Sequence, residues 1–164
     1  MRLEVGDLAP DFTLPSTAGK NFTLSEALES NEENIILFFY PGDFSTLCTW
    51  EACNFRDEFE PFRELKAEVI GISTDNMKSH RRFKETHSLP FQLLSDPAGD
   101  VCKLYGAYRP LLSQASRRTF VIDPDQRIRA VYDGLFRTDK HVDNAKKAMQ
   151  EIEGASSEVL YKIA

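Results

Sequence analysis

Hydrophobic and polar positions along this chain fall into two rhythms. Ile35-Ile36-Leu37-Phe38-Phe39 is a continuous apolar run of strand formers. An unbroken run of that kind predicts a strand buried on both faces, at the centre of a sheet. Pro41-Gly42-Asp43 ends it. From about Thr46 to Phe59 the apolar positions Leu47, Trp50, Phe55 and Phe59 suggest a helix, with Trp50 expected to pack and Pro61 expected to end or kink the helix. Glu68 to Ser73 predicts the next strand. Ser79 to His87 reads as a polar helix with Ser79 as its cap. Leu93-Leu94 reads as a brief strand before Ser95-Asp96-Pro97-Ala98-Gly99, in which Gly99, like Gly19 earlier, is a turn residue.

The second half keeps the pattern. Asp100 to Tyr105 predicts a short helix stopped by Gly106. Thr119 to Ile122 and Ile128 to Tyr132 flank Asp123-Pro124-Asp125-Gln126-Arg127 and predict a hairpin. Val142, Ala145, Met149 and Ile152 place a closing helix over His141 to Glu153. Residues 154–164 are left as a tail, either a loose helix or disordered. No repeat, low-complexity tract or long linker interrupts the chain, so 1–164 reads as one domain. Strand-helix-strand-helix followed by a hairpin and a helix predicts an α/β layered fold.

Composition adds limits. The 164 residues carry a net charge of −6, with 41% hydrophobic and 28% charged residues and twelve Phe. That describes a globular chain with a substantial core. An acidic balance argues against nucleic acid and against anionic membranes as partners. The start, Met1-Arg2-Leu3-Glu4-Val5-Gly6-Asp7, has no apolar leader core, and no apolar run approaches the ~20 residues of a membrane helix. The expected location is the cytoplasm. Three Cys is an odd count, which points to buried, metal-binding or reactive thiols rather than a disulfide framework. His80, His87 and His141 show no metal-ligand spacing with each other or with the cysteines.

The chemistry gathers in Tyr40-Pro41-Gly42-Asp43-Phe44-Ser45-Thr46-Leu47-Cys48-Thr49-Trp50-Glu51-Ala52-Cys53. Cys48 falls just after a strand, in the first turn of a helix. Free backbone N–H groups and the helix dipole at such a place favour negative charge and make a thiol more reactive. Position alone leaves two readings open, a nucleophile or a small buried hydrophobe.

The segment resembles the peroxiredoxin active-site pattern Pro-x-x-x-Thr/Ser-x-x-Cys, here Pro41, Ser45 and Cys48. Cys48 to Asp57 is most similar to the peroxiredoxin Q subfamily, also called bacterioferritin comigratory protein, in which a second Cys follows five residues after the first. Val5-Gly6-Asp7-Leu8-Ala9-Pro10-Asp11-Phe12, Val69-Ile70-Gly71-Ile72-Ser73 and Leu93-Leu94-Ser95-Asp96 resemble further landmarks, so the resemblance spans about residues 3 to 152. Ser stands where Thr is more usual at 45, and Thr46-Leu47 where the subfamily often has Pro-Gly.

The resemblance implies a thioredoxin-like fold with an N-terminal extension and a central mixed sheet flanked by helices. It implies that Cys48 attacks a hydroperoxide and that Cys53 resolves the product as a disulfide. Hydrogen peroxide and organic hydroperoxides are the implied substrates, with Pro41, Ser45 and Arg117 holding them. A thioredoxin or glutaredoxin-like donor restores the thiols. No cofactor or metal is implied, and the protein is expected as a monomer or weak homodimer. Arg117, three residues before Phe120, matches the functional arginine, and Arg118 is expected to be solvated. Glu51, one turn after Cys48, either holds an arginine or is a surface carboxylate. Cys102, among apolar neighbours, is expected to be packed in the core. Two rival classes are a thioredoxin-type disulfide oxidoreductase, disfavoured because Cys-x-x-Cys is absent, and a non-catalytic thioredoxin-fold protein with inert or metal-bound cysteines.

Overall fold

The apolar run of residues 35–39 sets the architecture. In the computed structural model, which describes the backbone of residues 2–163 and the side chains of 2–154, it lies in β3 (Asn34–Phe39), all six residues of which are buried. Side chains alternate across a strand. Ile35, Leu37 and Phe39 therefore enter one core cluster, and Ile36 and Phe38 the other. Both faces of the sheet are covered, which is why the strand carries no polar alternation.

Around β3 lie β4 (Ala67–Ser73) and β5 (Leu93–Ser95) on one side, both parallel, and β8 (Arg118–Ile122) and β9 (Ile128–Asp133) on the other, both antiparallel to their neighbours. The sheet order is β5-β4-β3-β8-β9. One face is closed by the N-terminal segment, with β1 (Thr13–Pro15) pairing β2 (Asn21–Thr23) and leading into α1 (Leu24–Asn31). Phe12, Leu14, Phe22, Leu24 and Leu28 from this segment pack with Phe39, Tyr105 and Phe120. The short helix α5 (Asp100–Leu104) joins them, stopped by Gly106 at φ 66 as its sequence predicts. Cys102 is fully buried here, among apolar neighbours as expected.

The opposite face carries α2 (Thr46–Asp57), α3 (Phe59–Glu64), α4 (Met77–Thr86) and α6 (Thr138–Ile163). Phe38 stacks on Phe55 of α2 with ring centroids 4.6 Å apart. Between α5 and β8 a two-residue pairing, β6 (Tyr108–Arg109) with β7 (Gln114–Ala115), brackets a 3-10 turn at Pro110–Leu112. This is the mixed sheet with flanking helices and an N-terminal extension that the resemblance implied. Nine of the twelve Phe are buried.

Four local expectations change. The helical segment 46–64 breaks at Glu58, before Pro61, which sits in the first turn of α3 where a missing N–H costs nothing. The cap of α4 is Asn76, whose side chain accepts from the Ser79 backbone N–H; the Ser79 hydroxyl is turned to another use. Trp50 is 60% exposed and lies outside the core. The closing helix starts at Thr138, three residues before the expected His141, and of the two readings of the tail it follows the helical one, running to Ile163. Among the described residues no helix is long and apolar enough to cross a membrane.

Candidate active site

The C-terminal end of β3 delivers the chain into the loop 41–45 and then into α2. Ser45 is the N-cap of α2: its Oγ accepts from the Cys48 backbone N–H at 3.3 Å and donates to the Gly42 carbonyl at 3.3 Å. Cys48 therefore occupies the third helical position, at the positive end of the helix dipole, and is 1% exposed. Ser45 is exposed and Pro41 half-buried at the mouth of this loop.

Register explains which arginine reaches the sulfur. In the antiparallel pairing of β8 with β3, Arg118 lies opposite Phe39, so Arg117 arrives at the strand end where α2 begins. Alternation then sends the two side chains to opposite faces. Arg117 points to the α2 side, where Nη2 donates to Cys48 Sγ at 3.2 Å, Nη1 to Glu51 Oε1 at 2.8 Å and Nε to the Leu135 carbonyl at 2.8 Å. All three nitrogens are engaged and the side chain is held rigidly. A guanidinium so placed stabilises negative charge on the sulfur.

Arg118 goes the other way, and the expectation that it is solvated is corrected. It is 3% exposed, donates to the Tyr105 carbonyl at 2.9 Å and pairs with Asp133 at 2.8 Å. Its neighbour in the strand forces this: a residue on the same face as Phe120 in a covered sheet cannot reach open solvent.

Glu51 proves to be the arginine's partner. It is fully buried, and its Oε2 has no hydrogen-bond partner. Burial pushes its carboxyl up to about 8, against the pull of Arg117. Behind it stands His141 of α6, whose Nδ1 lies 3.7 Å from Glu51 Oε2. His141 Nε2 faces the Gly134 carbonyl at 2.7 Å and must donate, so Nδ1 accepts from the Thr119 hydroxyl at 2.7 Å. Burial pushes this imidazole down to about 4, which keeps it neutral. Sequence spacing gives no hint of Thr119 and His141, because the fold alone brings them to α2.

Cys53 lies on the same helix and is half-buried; like the buried Cys48 and Cys102, it is a free thiol. Five residues on a helix span about 7.5 Å along its axis, beyond the ~6.8 Å Cα separation a disulfide tolerates. Cys48 and Cys53 thus cannot bond while α2 is intact. Among the described residues one group of three metal-ligand-type side chains occurs, Asp43, Asp75 and His80. It is closed on itself: Asp43 Oδ2 meets Ser79 and His80, and Asp75 Oδ2 meets Ser73 and the Asp43 N–H.

The sequence matches the AhpC/TSA family over residues 5–131. It is 38% identical over 152 residues to the chloroplastic peroxiredoxin Q of Suaeda salsa, covering 92% of this chain and 70% of that protein. It is 37% identical over 150 residues to the chloroplastic peroxiredoxin Q of Arabidopsis thaliana, covering 91% and 68%. Among solved structures, peroxidoxin BcpB from Mycobacterium tuberculosis superposes with a TM-score of 0.86 at 38% identity, over 92% of this chain and 99% of that one. Peroxiredoxin Q from Xanthomonas campestris shares the fold at a TM-score of 0.78 and 24% identity, over 91% and 96%.

Proposed function

Because the chain belongs to the AhpC/TSA family and is a thiol-dependent peroxidase of the peroxiredoxin Q type, we propose that Cys48 is its peroxidatic cysteine and Cys53 its resolving cysteine. The observation that carries this reading is the Arg117 guanidinium, 3.2 Å from Cys48 Sγ and locked by Glu51. Such a fixed charge both favours the thiolate and polarises an approaching O–O bond.

The Cys48 thiolate attacks the terminal oxygen of a hydroperoxide. The S–O bond forms as the O–O bond breaks, and the leaving alkoxide or hydroxide takes a proton to become alcohol or water. Pro41 shields the site, while Ser45, the exposed N–H groups of the first turn and Arg117 hold the peroxide. The first turns of α2 then unwind, and the Cys53 thiol displaces water from the Cys48 sulfenic acid to give a disulfide. An external dithiol of the thioredoxin or glutaredoxin type reduces that disulfide by exchange and is itself oxidised. Hydrogen peroxide and small organic hydroperoxides are the proposed substrates, in the cytoplasm, with the protein a monomer or weak homodimer.

The test is a thiol count. Reduced protein mixed with one equivalent of hydrogen peroxide should lose two of its three thiols rapidly, with the Cys48–Cys53 disulfide identified by mass spectrometry. Cys48→Ser should abolish the reaction, whereas Cys53→Ser should complete one turnover and accumulate sulfenic acid. Retention of all three thiols, or zinc in the purified protein, would overturn the reading.

A further inference from the structure

The loop that presents α2 is fastened by a buried carboxylate. Asp43 lies two residues before the helix cap, yet its side chain has no exposed surface. Oδ1 accepts from the Tyr40 phenol at 2.7 Å. Oδ2 accepts from the Ser79 hydroxyl at 2.7 Å and faces His80 Nδ1 at 2.7 Å. The Asp43 backbone N–H donates to Asp75 Oδ2 at 2.8 Å. The next residue, Phe44, takes the left-handed conformation at φ 64 and sets its ring against Phe83 of α4, centroids 5.1 Å apart. Asp43 and Phe44 thus pin the loop to α4, and Ser45 caps α2 from a loop held in place.

The protonation of His80 follows from its neighbours. Its Nε2 lies 2.8 Å from the Leu94 carbonyl, which can only accept, so Nε2 carries a hydrogen. Were the ring neutral, the bare Nδ1 would face the ionised Asp43 Oδ2 at 2.7 Å, acceptor against acceptor. The groups facing the ring agree with a cation. From just beyond β3 comes the Tyr40 phenol, whose pKa burial pushes well above its ordinary value, so it stays a neutral donor to Asp43. From the loops come the carboxylates Asp43 and Asp75, from β5 the Leu94 carbonyl, and from α4 itself the Ser79 hydroxyl, already donated to Asp43. Every charge named here is negative. The Arg82 guanidinium lies over the outer ring of Phe44, 5.6 Å from its centroid.

We propose that His80 is a positioning residue for the peroxidase reaction, held as an imidazolium that locks Asp43 and with it the loop from which Ser45 organises the first turn of α2. His80 touches no reacting atom. It acts through Asp43, and loss of its proton would set two acceptors against each other and release the loop. The inference rests on Cys48 being the peroxidatic residue, but the state of the ring can be read without peroxide.

Two measurements test it. The first is the 15N spectrum of the imidazoles in the full-length reduced protein, with His80 assigned by its loss in His80→Gln. At about pH 7 both nitrogens of His80 should be protonated, while His141 shows one protonated and one bare nitrogen. A neutral His80 at that pH, with one bare nitrogen, overturns the proposal whatever the enzyme does. The second is stopped-flow oxidation of Cys48 across pH. His80→Ala should slow it roughly tenfold to a hundredfold, the scale of misplaced reacting groups. His80→Asn, whose amide nitrogen takes the place of Nδ1 and can still donate to Asp43 but cannot ionise, should recover much of that rate at neutral pH. It should also lack the alkaline fall of the wild type. The same alkaline fall in wild type and His80→Asn would overturn the proposal. Should His80→Ala fail to fold, the spectrum and the His80→Asn profile still decide. Failure of the peroxidase reading itself would show separately, as no peroxide-dependent thiol loss in the wild type.

Discussion

Glu51→Gln should flatten the dependence of stability on pH. Folding carries this carboxyl from water to a site with no exposed surface, where Oε1 accepts from Arg117 and Oε2 has no hydrogen-bond partner. The folded protein therefore holds the Glu51 proton more tightly than the unfolded chain, with the carboxyl pushed from 4.5 to about 8. The sign follows from linkage: where the folded state binds more protons, stability falls as pH rises. The contribution is complete below about pH 4.5 and is lost progressively as pH rises through about 8. At about 1.4 kcal/mol per pH unit, the ceiling is about 5 kcal/mol. Entry of water beside the ionised carboxylate lowers this, and a difference of at least about 1 kcal/mol should survive.

Glutamine keeps the Oε1 acceptor for Arg117 and cannot ionise. The comparison is best made in a Cys48→Ser background, which removes the titration of the neighbouring thiol. Urea unfolding of both proteins at about pH 6 and about pH 9 gives the four stabilities required. The protein that retains Glu51 should lose more stability across that interval than the Glu51→Gln protein. Parallel losses would mean that the Arg117 ion pair keeps Glu51 ionised throughout, and that burial does not govern this carboxyl.

Other outcomes follow from the same geometry. Arg117→Ala should slow peroxide oxidation of Cys48 about a hundredfold or more, on the scale of losing one preorganised donor to developing charge, with stopped-flow as the measure. Arg118→Ala should leave that step nearly intact but lower stability by roughly 1–3 kcal/mol, because it strands the buried Tyr105 carbonyl; equal kinetic effects of the two would refute the division of labour. Ser45→Ala removes the cap from the Cys48 N–H and should cost about 1 kcal/mol in urea unfolding, with a slower first step; an unchanged rate would refute a role for its hydroxyl. Amide hydrogen exchange over about 46–56 should rise sharply in the disulfide form while 35–39 stays protected; equal protection of α2 in both forms, with the disulfide confirmed, would refute the need for unwinding.

Some of this molecule is legible in its sequence because the relevant physics is local. β3 can be read because a strand covered on both faces must be apolar throughout, and Cys48 because a loop, a cap and a helix start lie within eight residues of each other. β1 and β2 escape because three-residue strands carry no period; what defines them is Phe12, Leu14 and Phe22 closing a face of the sheet. Arg118 is misread because adjacent arginines look alike until a strand register assigns them to opposite faces. His80 cannot be read at all. Its partners, Asp43 and Leu94, stand 37 and 14 residues away and form no ligand spacing with another histidine.

The contacts on α2 divide along the chain in a way that suits its two duties. Asp43 and Phe44 hold the loop before the helix, and their anchors on α4 do not depend on α2 being wound. Phe55, stacked on Phe38, holds the helix beyond Cys53. Between these anchors the segment from Thr46 to Cys53 is retained mainly by buried Cys48, Glu51 and Ala52, and Glu51 is the costly member, a buried carboxyl with one oxygen unsatisfied. The residue that orients Arg117 for the attack therefore also makes the wound state expensive to keep, increasingly so as its proton is lost. In the proposed cycle, a sulfenic acid would add an oxygen to a sulfur that is 1% exposed, in a site packed around a thiol. Unwinding would then need to free only this stretch, with the loop fixed before it and Phe55 fixed after it, and the arginine could re-form its grip once the proposed disulfide is reduced.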